Sequence, residues 1–206
     1  MQHFNPATAG FDQCGLRCAG GAAVLTLLVG AEERELVLCG SPTGQALARH
    51  RMTPLGAAEE WVETWRFGGD YRLVRHVTHL ARTPGFTVRT VFTNDSSAPV
   101  RLRRMDMLQT DTAAFTADAS DWFVTAPFAG DAKPGEGPLR ASADATRRFD
   151  ECMAIYTDRG ERGLFIAPVG PAESDVAIEF TAAGNAWRLA IQSDMTSVVV
   201  DPGESR

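Results

Sequence analysis

Short segments of alternating apolar and polar residues, bounded by Gly, Pro, Asn, Asp or Ser, run through most of the chain. This period of two predicts β-strands, because successive side chains of a strand point to opposite faces of its sheet. The spacing typical of an amphipathic helix is nearly absent. The predicted strands are 22–29, 35–39, 60–67, 71–79, 86–93, 100–109, 122–126, 152–157, 164–167, 175–181, 187–192 and 197–201.

So many short strands favour an all-β fold, a large antiparallel β-sandwich of two sheets, because a sheet much beyond about ten strands tends to split into packed layers. A chain of 206 residues can bury a substantial core. The sequence has neither an internal repeat nor a linker-like segment that would mark a domain boundary, so we expect one domain over 1–206. An irregular excursion rich in Gly and Pro is predicted at about 118–142, and long loops of this kind often carry function.

The segment EWVETWRFGGDYRLV predicts a β-hairpin, because Gly tolerates the positive φ of a tight turn. In its first strand Trp61, Trp65 and Phe67 share one face with Glu63. An aromatic stripe of this kind is typical of a core, and a sugar-stacking platform is the alternative. Burial beside Trp would raise the pKa of the Glu63 carboxyl, whereas an arginine neighbour would pair with it.

The segment TNDSSAPVRLRRMDML contains three closely spaced arginines that could suggest an anion patch. The inward apolar register shifts by one between Leu102 and Met105, which predicts a β-bulge at Arg103 or Arg104. We interpret these arginines as outward residues of a bulged strand that pairs with the strand at 86–93.

Composition and charge argue against several function classes. The chain has 26 acidic and 20 basic residues and a net charge of −6, which opposes binding to nucleic acid. No apolar run approaches the length that spans a membrane, and the first residues lack the pattern of a secretion signal. The sequence therefore predicts a cytoplasmic protein with neither nucleic-acid nor membrane partners.

Residues that often bind metals or carry out catalysis give no assignable site. The four cysteines lack the spacing of a zinc site or a disulfide framework, and we expect buried free thiols. His76 and His79 lie three apart on a predicted strand, so they point to opposite faces and cannot share an ion. No nucleophile elbow or phosphate-binding loop is present, and we assign no catalytic residue, metal or cofactor.

Several phrases of the sequence together resemble a known domain. The run EWVETWRFGGDYRLVRHVTHL, the run PGFTVRTVFTNDSSAPVRLRRMDML, the later RGERGLFIAPVGPAESDVAIEF and the final SVVVDPGE resemble the N-terminal β-supersandwich domain of α-galactosidase-like enzymes of glycoside hydrolase family 36. The resemblance covers roughly 22–204. In that family the supersandwich, which has a galactose-mutarotase-like architecture, precedes a catalytic (β/α)₈ barrel that holds the catalytic aspartates.

The resemblance implies a non-catalytic accessory domain of a glycoside-hydrolase-like protein, which packs on a catalytic barrel and contributes to carbohydrate binding. A homo-oligomer is also compatible with this expectation. One alternative is a mutarotase-like sugar epimerase, which needs a histidine acid and a carboxylate base on one face. Another is an autonomous carbohydrate-binding module. The candidate contact residues for a sugar or a partner domain are Trp122, Asp121, Trp61 and Trp65.

Overall fold

The protein is described from a computed structural model, and this description covers part of the chain. The described residues are 3–5, 10–13, 16–18, 21–29, 34–40, 43, 47–54, 56–80, 86–110, 113–115, 122–125, 139–140, 145–149, 152–157, 163–167, 175–195 and 198–206. The described part is all-β, and its strands pair antiparallel throughout. It contains no helix long and apolar enough to cross a membrane.

The strands are numbered in chain order. They are β1 (His3–Asn5), β2 (Gly10–Gln13), β3 (Leu16–Cys18), β4 (Gly21–Val29), β5 (Arg34–Gly40), β6 (Leu47–Thr53), β7 (Gly56–Phe67), β8 (Tyr71–Leu80), β9 (Phe86–Asn94), β10 (Val100–Thr110), β11 (Ala113–Phe115), β12 (Trp122–Thr125), β13 (Leu139–Arg140), β14 (Ala145–Phe149), β15 (Met153–Thr157), β16 (Gly163–Ile166), β17 (Asp175–Ala183), β18 (Ala186–Asp194) and β19 (Val199–Val200). Each strand predicted from the sequence overlaps one of them.

Hydrogen bonds group the described strands into three sheets, where the sequence suggested two. The largest has eleven strands and runs in the order β1-β2-β3-β11-β18-β10-β4-β5, with β17 and β14 continuing from β18 and with β19 beside β10. A second sheet has the order β6-β7-β8-β9, and a third has the order β13-β12-β15-β16. The all-β, sandwich-like fold predicted from the alternating pattern is thus confirmed, with more sheets than expected.

Two apolar clusters hold the sheets together. One joins Trp65, Leu73 and Phe92 of the second sheet to core residues of the eleven-stranded sheet, including Leu27 and Leu102. The other cluster joins all three sheets; its buried members are Val77, Trp122, Val124, Met153, Ile155, Ile178, Phe180, Ala182, Trp187 and Leu189. Full burial of one such side chain contributes about 1.5–3 kcal/mol, so these clusters are the main source of stability.

The β7–β8 hairpin forms where the sequence predicts it. Phe67 pairs with Tyr71 across the turn at residues 68–70, and Gly68 has a φ of 64°, which a residue with a Cβ rarely adopts. From this turn the register runs without interruption to Ala58 and Leu80. The turn therefore fixes every cross-strand neighbour in the hairpin.

The bulge in β10 is also confirmed, whereas the predicted partner of that strand is wrong. Against β4 the register shifts between Leu102 and Arg104, so Arg103 is the extra residue. Leu102 and Met105 are buried, and Arg103 is exposed. However, β10 pairs with β4, β18 and β19 rather than with β9.

The loop between β9 and β10 explains why these two strands do not pair, because it moves the chain from one sheet to another. The side chain of Asn94, which is fully buried, donates hydrogen bonds from Nδ2 to the carbonyl of Ala98 at 2.8 Å and to that of Val200 at 2.9 Å. Its Oδ1 accepts from the backbone N–H and the hydroxyl of Ser96. These bonds direct the chain away from a hairpin and into the eleven-stranded sheet.

The described C-terminal residues extend the second sheet along the edge of β9. After β19 the chain turns at Pro202 and Gly203, whose φ is 80°. Phe92 and Arg206 then exchange two backbone hydrogen bonds, at 2.6 and 2.8 Å. Residues 204–206 therefore lie beside β9 on the side opposite β8.

The predicted excursion at 118–142 is described only in part. Within it β12 and β13 pair with each other, with Phe123 opposite Arg140 and Val124 opposite Leu139. The remainder, including Asp121, lies outside the described residues.

Candidate functional site

The inner face of the second sheet, which packs on the core, carries a buried ion pair. Glu63 on β7 lies directly opposite Arg75 on β8. The Nε of Arg75 donates to the Oε2 of Glu63 at 2.7 Å, and its Nη2 lies 2.6 Å from the same oxygen. The guanidinium carbon is 4.7 Å from the ring centroid of Trp65, which is the distance of a cation–π contact. Both sequence-based expectations for Glu63, burial beside Trp and pairing with Arg, are confirmed.

Burial sets the ionisation of this carboxyl. The exposed fraction of Glu63 is 3% and that of Arg75 is 1%. Removal from water raises the pKa of Glu63 above its ordinary value, and the charge and hydrogen bond of Arg75 offset only part of that rise. A ligand cannot reach the pair in this conformation, so we interpret it as a structural element of the core.

The outer face of the same sheet carries a second group of ionisable residues, and this group reaches the surface. The Oε1 of Glu60 on β7 accepts from the Nη1 of Arg51 on β6 at 3.1 Å. The same oxygen lies 3.5 Å from the Nδ1 of His76 on β8. Glu60 is only 8% exposed, whereas His76 is half-buried and Arg51 is exposed. A carboxylate thus holds a histidine and an arginine side by side, and we call these three residues the outer-face cluster.

Two further arginines flank the outer-face cluster. Arg49 of β6 lies directly opposite Glu60, and Arg89 of β9 lies directly opposite His76. Side chains directly opposite each other across antiparallel strands are about 4.5–5.5 Å apart at Cβ. Both arginines are exposed, and neither forms an ion pair within the part of the chain that the structure describes. Among the described residues around His76, positive charges therefore outnumber negative ones.

The tryptophans predicted as contacts lie mainly in the interior. Trp65 and Trp122 are each 1% exposed and belong to the apolar clusters, and Trp61 is half-buried opposite Val77. Asp121 lies outside the described residues. The contact role of these four residues stays a prediction, and the rings of Trp65 and Trp122 present no face to a sugar in this conformation.

The histidines are arranged as the sequence predicts. His76 lies opposite Val62 and Arg89, whereas His79 lies opposite Glu59 and Phe86, on the other face of the sheet. Among the described residues no group of three or more His, Cys, Asp or Glu is placed to hold a metal ion. Cys152, the one cysteine whose side chain is described, is a buried free thiol.

The sequence carries a signal for both ionisable groups in the pairing of the hairpin strands. Counting back from the turn that pairs Phe67 with Tyr71 puts Glu63 opposite Arg75 and brings Glu60 to the same face as His76. The part of the outer-face cluster that comes from β6 has no such signal, because the sequence LARHRMT does not predict a strand.

No family model matches this chain, and neither a curated protein nor a solved structure matches it.

Proposed function

We propose that this chain is a non-catalytic accessory domain of a glycoside-hydrolase-like protein, with a β-supersandwich that packs on a catalytic barrel and contributes to carbohydrate binding. The resemblance of its sequence to the N-terminal domain of family 36 enzymes supports this proposal. So does the interior position of the Glu63–Arg75 pair, which leaves that carboxylate without access to a substrate. A cytoplasmic location belongs to the same proposal.

The observation that carries the proposal is the composition of the outer face of the β6–β9 sheet. Val62, Val74 and Val91 on this face are half-buried, and they lie among exposed arginines such as Arg66 and Arg89. Interfaces between domains are more polar than a protein core, and arginine is enriched in them. A face of mixed valine and arginine is therefore suited to contact with a second domain.

Association with a barrel is the direct test. The chain is mixed with the barrel of a family 36 α-galactosidase that lacks its own N-terminal domain, and complex formation is measured by sedimentation velocity. We expect a one-to-one complex that Val74→Glu abolishes, because a charge in the middle of the outer face would be buried unpaired. Val199→Glu is the matched control, since Val199 is already exposed on the eleven-stranded sheet. Absence of a complex, or equal effects of both variants, contradicts the proposal.

Activity of the isolated chain gives a second test. We expect no hydrolysis of aryl α-galactosides by this chain alone. Turnover that survives repurification and is lost when one Asp or Glu of this chain is replaced would contradict a non-catalytic role.

A second candidate, a mutarotase-like sugar epimerase, is favoured by the outer-face cluster. In such chemistry a base takes the proton of the anomeric hydroxyl while an acid protonates the ring oxygen, and reclosure of the open sugar gives the other anomer. His76 and Glu60 supply an acid and a base on one face, 3.5 Å apart.

Polarimetry of freshly dissolved α-D-galactose separates this candidate from the first. Acceleration that falls by about 10²-fold or more in His76→Ala and in Glu60→Gln supports an epimerase, since general acid–base catalysis contributes on that scale. His79→Ala is the control, because this histidine lies on the opposite face. A rate equal to that of buffer removes the candidate.

A further inference from the structure

We infer that the outer face of the β6–β9 sheet binds a small oxyanion, a carboxylate or a phosphate monoester, between Arg49, Arg89 and His76, with Glu60 as a positioning residue. The inference goes beyond the accessory role proposed above and does not rest on it, because it concerns the isolated chain.

The charge balance around His76 carries the inference. Glu60 is the acceptor of Arg51, so its charge is already matched, and its second neighbour is the imidazole of His76. Arg49 and Arg89 are then left without a carboxylate in the described part of the chain. A guanidinium presents a planar fork of N–H donors that fits a carboxylate or a phosphate, so an oxyanion is the ligand that these two groups favour.

The geometry allows both arginines to act on one anion. Arg49 lies on β6 and Arg89 on β9, with β7 and β8 between them; they are separated by three strand spacings, about 14 Å, across the sheet and by two residues, about 7 Å, along it. Arg49 is level with Glu60 and Arg89 is level with His76, and Glu60 and His76 lie close together. Two extended arginine side chains can thus converge above the imidazole. Since the Nδ1 of His76 faces Glu60, its Nε2 is the nitrogen left to point at a ligand.

The charge of the whole protein restricts the size of the ligand. A net charge of −6 opposes a long polyanion, whose affinity depends on neutralising many phosphates. A single carboxylate or phosphate contacts only the local positive surface. The ligand class is therefore a small molecule that carries one such group.

Titration followed by nuclear magnetic resonance tests the site directly. The ¹⁵N-labelled chain is titrated separately with inorganic phosphate, D-glucuronate and D-glucose 6-phosphate, with D-glucose as the neutral control. We expect saturable shifts at the amides of His76 and Arg89 with a dissociation constant of about 1 mM, as befits a solvent-exposed site of few contacts. Saturation by phosphate and glucose 6-phosphate alone identifies a phosphate ligand, and saturation by glucuronate alone identifies a carboxylate.

Replacing an arginine at the site, and replacing one elsewhere on the same face, gives a matched comparison of binding affinity. We expect Arg89→Gln, and likewise Arg49→Gln, to weaken binding by about ten-fold, because each removes a charge-assisted hydrogen bond. Arg66→Gln is the control, because it removes an equal charge near the other end of the face, about 13 Å from the row of His76. It should change affinity by less than about two-fold, because salt screens the attraction between charges that far apart. All three arginines are exposed, so none of these variants should unfold the chain.

Several results overturn the inference. One is that none of the three anions saturates the amide shifts. A second is that Arg66→Gln weakens binding as much as Arg89→Gln does. A third is that chloride displaces a bound sugar anion at the same concentration as phosphate does. Binding of D-glucose as tight as that of glucuronate also overturns it, while leaving the proposed role in carbohydrate binding intact. Failure to associate with a barrel has no bearing on these titrations, so the two proposals fail separately.

Discussion

Arg75 carries a positive charge in a part of the core that water does not reach, and the carboxylate of Glu63 and the ring of Trp65 balance that charge. Burial of two charges costs several kcal/mol, which their attraction recovers only when both partners are present. The pair therefore adds little net stability while it is intact, but loss of Arg75 leaves the buried charge of Glu63 uncompensated.

Replacement of Arg75 by Met tests this asymmetry. We expect Arg75→Met to lower the free energy of unfolding by about 3–5 kcal/mol, because it leaves the Glu63 carboxylate buried without its partner. The double variant Glu63→Leu with Arg75→Met should recover most of that loss. Urea unfolding at pH 7 measures both, and a double variant no more stable than the single one would contradict this account.

The raised pKa of Glu63 also predicts an effect of pH. Since the pKa of the folded carboxyl lies above its ordinary value of 4.5, the folded state binds this proton more tightly than the unfolded state does. The contribution of Glu63 to the free energy of unfolding therefore falls as pH rises from 4.5 through the folded pKa. We expect the stability of the wild type, measured relative to Glu63→Gln by thermal unfolding, to decrease over that interval. A difference that is constant or rises with pH would contradict the predicted sign.

At the scale of elements, the alternation of apolar and polar residues predicts most strands, because it follows directly from the burial of one face of each strand. The sequence of β6, LARHRMT, does not predict a strand, because two arginines lie on one face and a histidine stands between Ala48 and Met52 on the other, which leaves little apolar alternation. Its position comes from pairing with β7, which brings Arg51 to Glu60. The outer-face cluster therefore depends on a strand that local sequence does not indicate.

The wrong partner predicted for β10 has a similar cause. The sequence NDSSAP has the residues of a hairpin turn, and short loops most often join paired neighbours. The side chain of Asn94 instead bonds to Val200, a residue far away in sequence. Such a contact cannot be seen in a local pattern.

Asn94→Ala tests the importance of this connection. We expect a loss of about 2–4 kcal/mol in the free energy of unfolding, because the buried carbonyl of Val200 would lose this donor and the half-buried N–H of Ser96 would lose its acceptor. Asp95→Ala is the neighbouring control, since its exposed pair with Arg72 at 3.4 Å contributes about 1 kcal/mol or less. Equal losses in the two variants, measured by urea unfolding, would be evidence against a special role for Asn94.

At the scale of the whole molecule, the two apolar clusters couple the sheets, and Trp122 lies in the cluster that joins all three. We expect Trp122→Ala to lower the free energy of unfolding by about 3–5 kcal/mol, as removal of a large buried ring does. Trp61→Ala should cost distinctly less, because that ring is only half-buried. Comparison of the two melting temperatures measures the difference, and similar values would show that Trp122 is not a main core residue.

The Glu63–Arg75 pair has one more consequence, which concerns the alignments that the hairpin does not adopt. A slide of β8 by one residue past β7 would turn Arg75 to the outer face and every other side chain with it. A slide by two residues would keep the faces but place Glu63 opposite Leu73 or Val77, with both charges mismatched. Strands that are polar on both faces or rich in glycine are prone to slippage, whereas this hairpin places its two buried charges opposite each other in only one register. The ion pair therefore contributes to the uniqueness of the fold rather than to its strength.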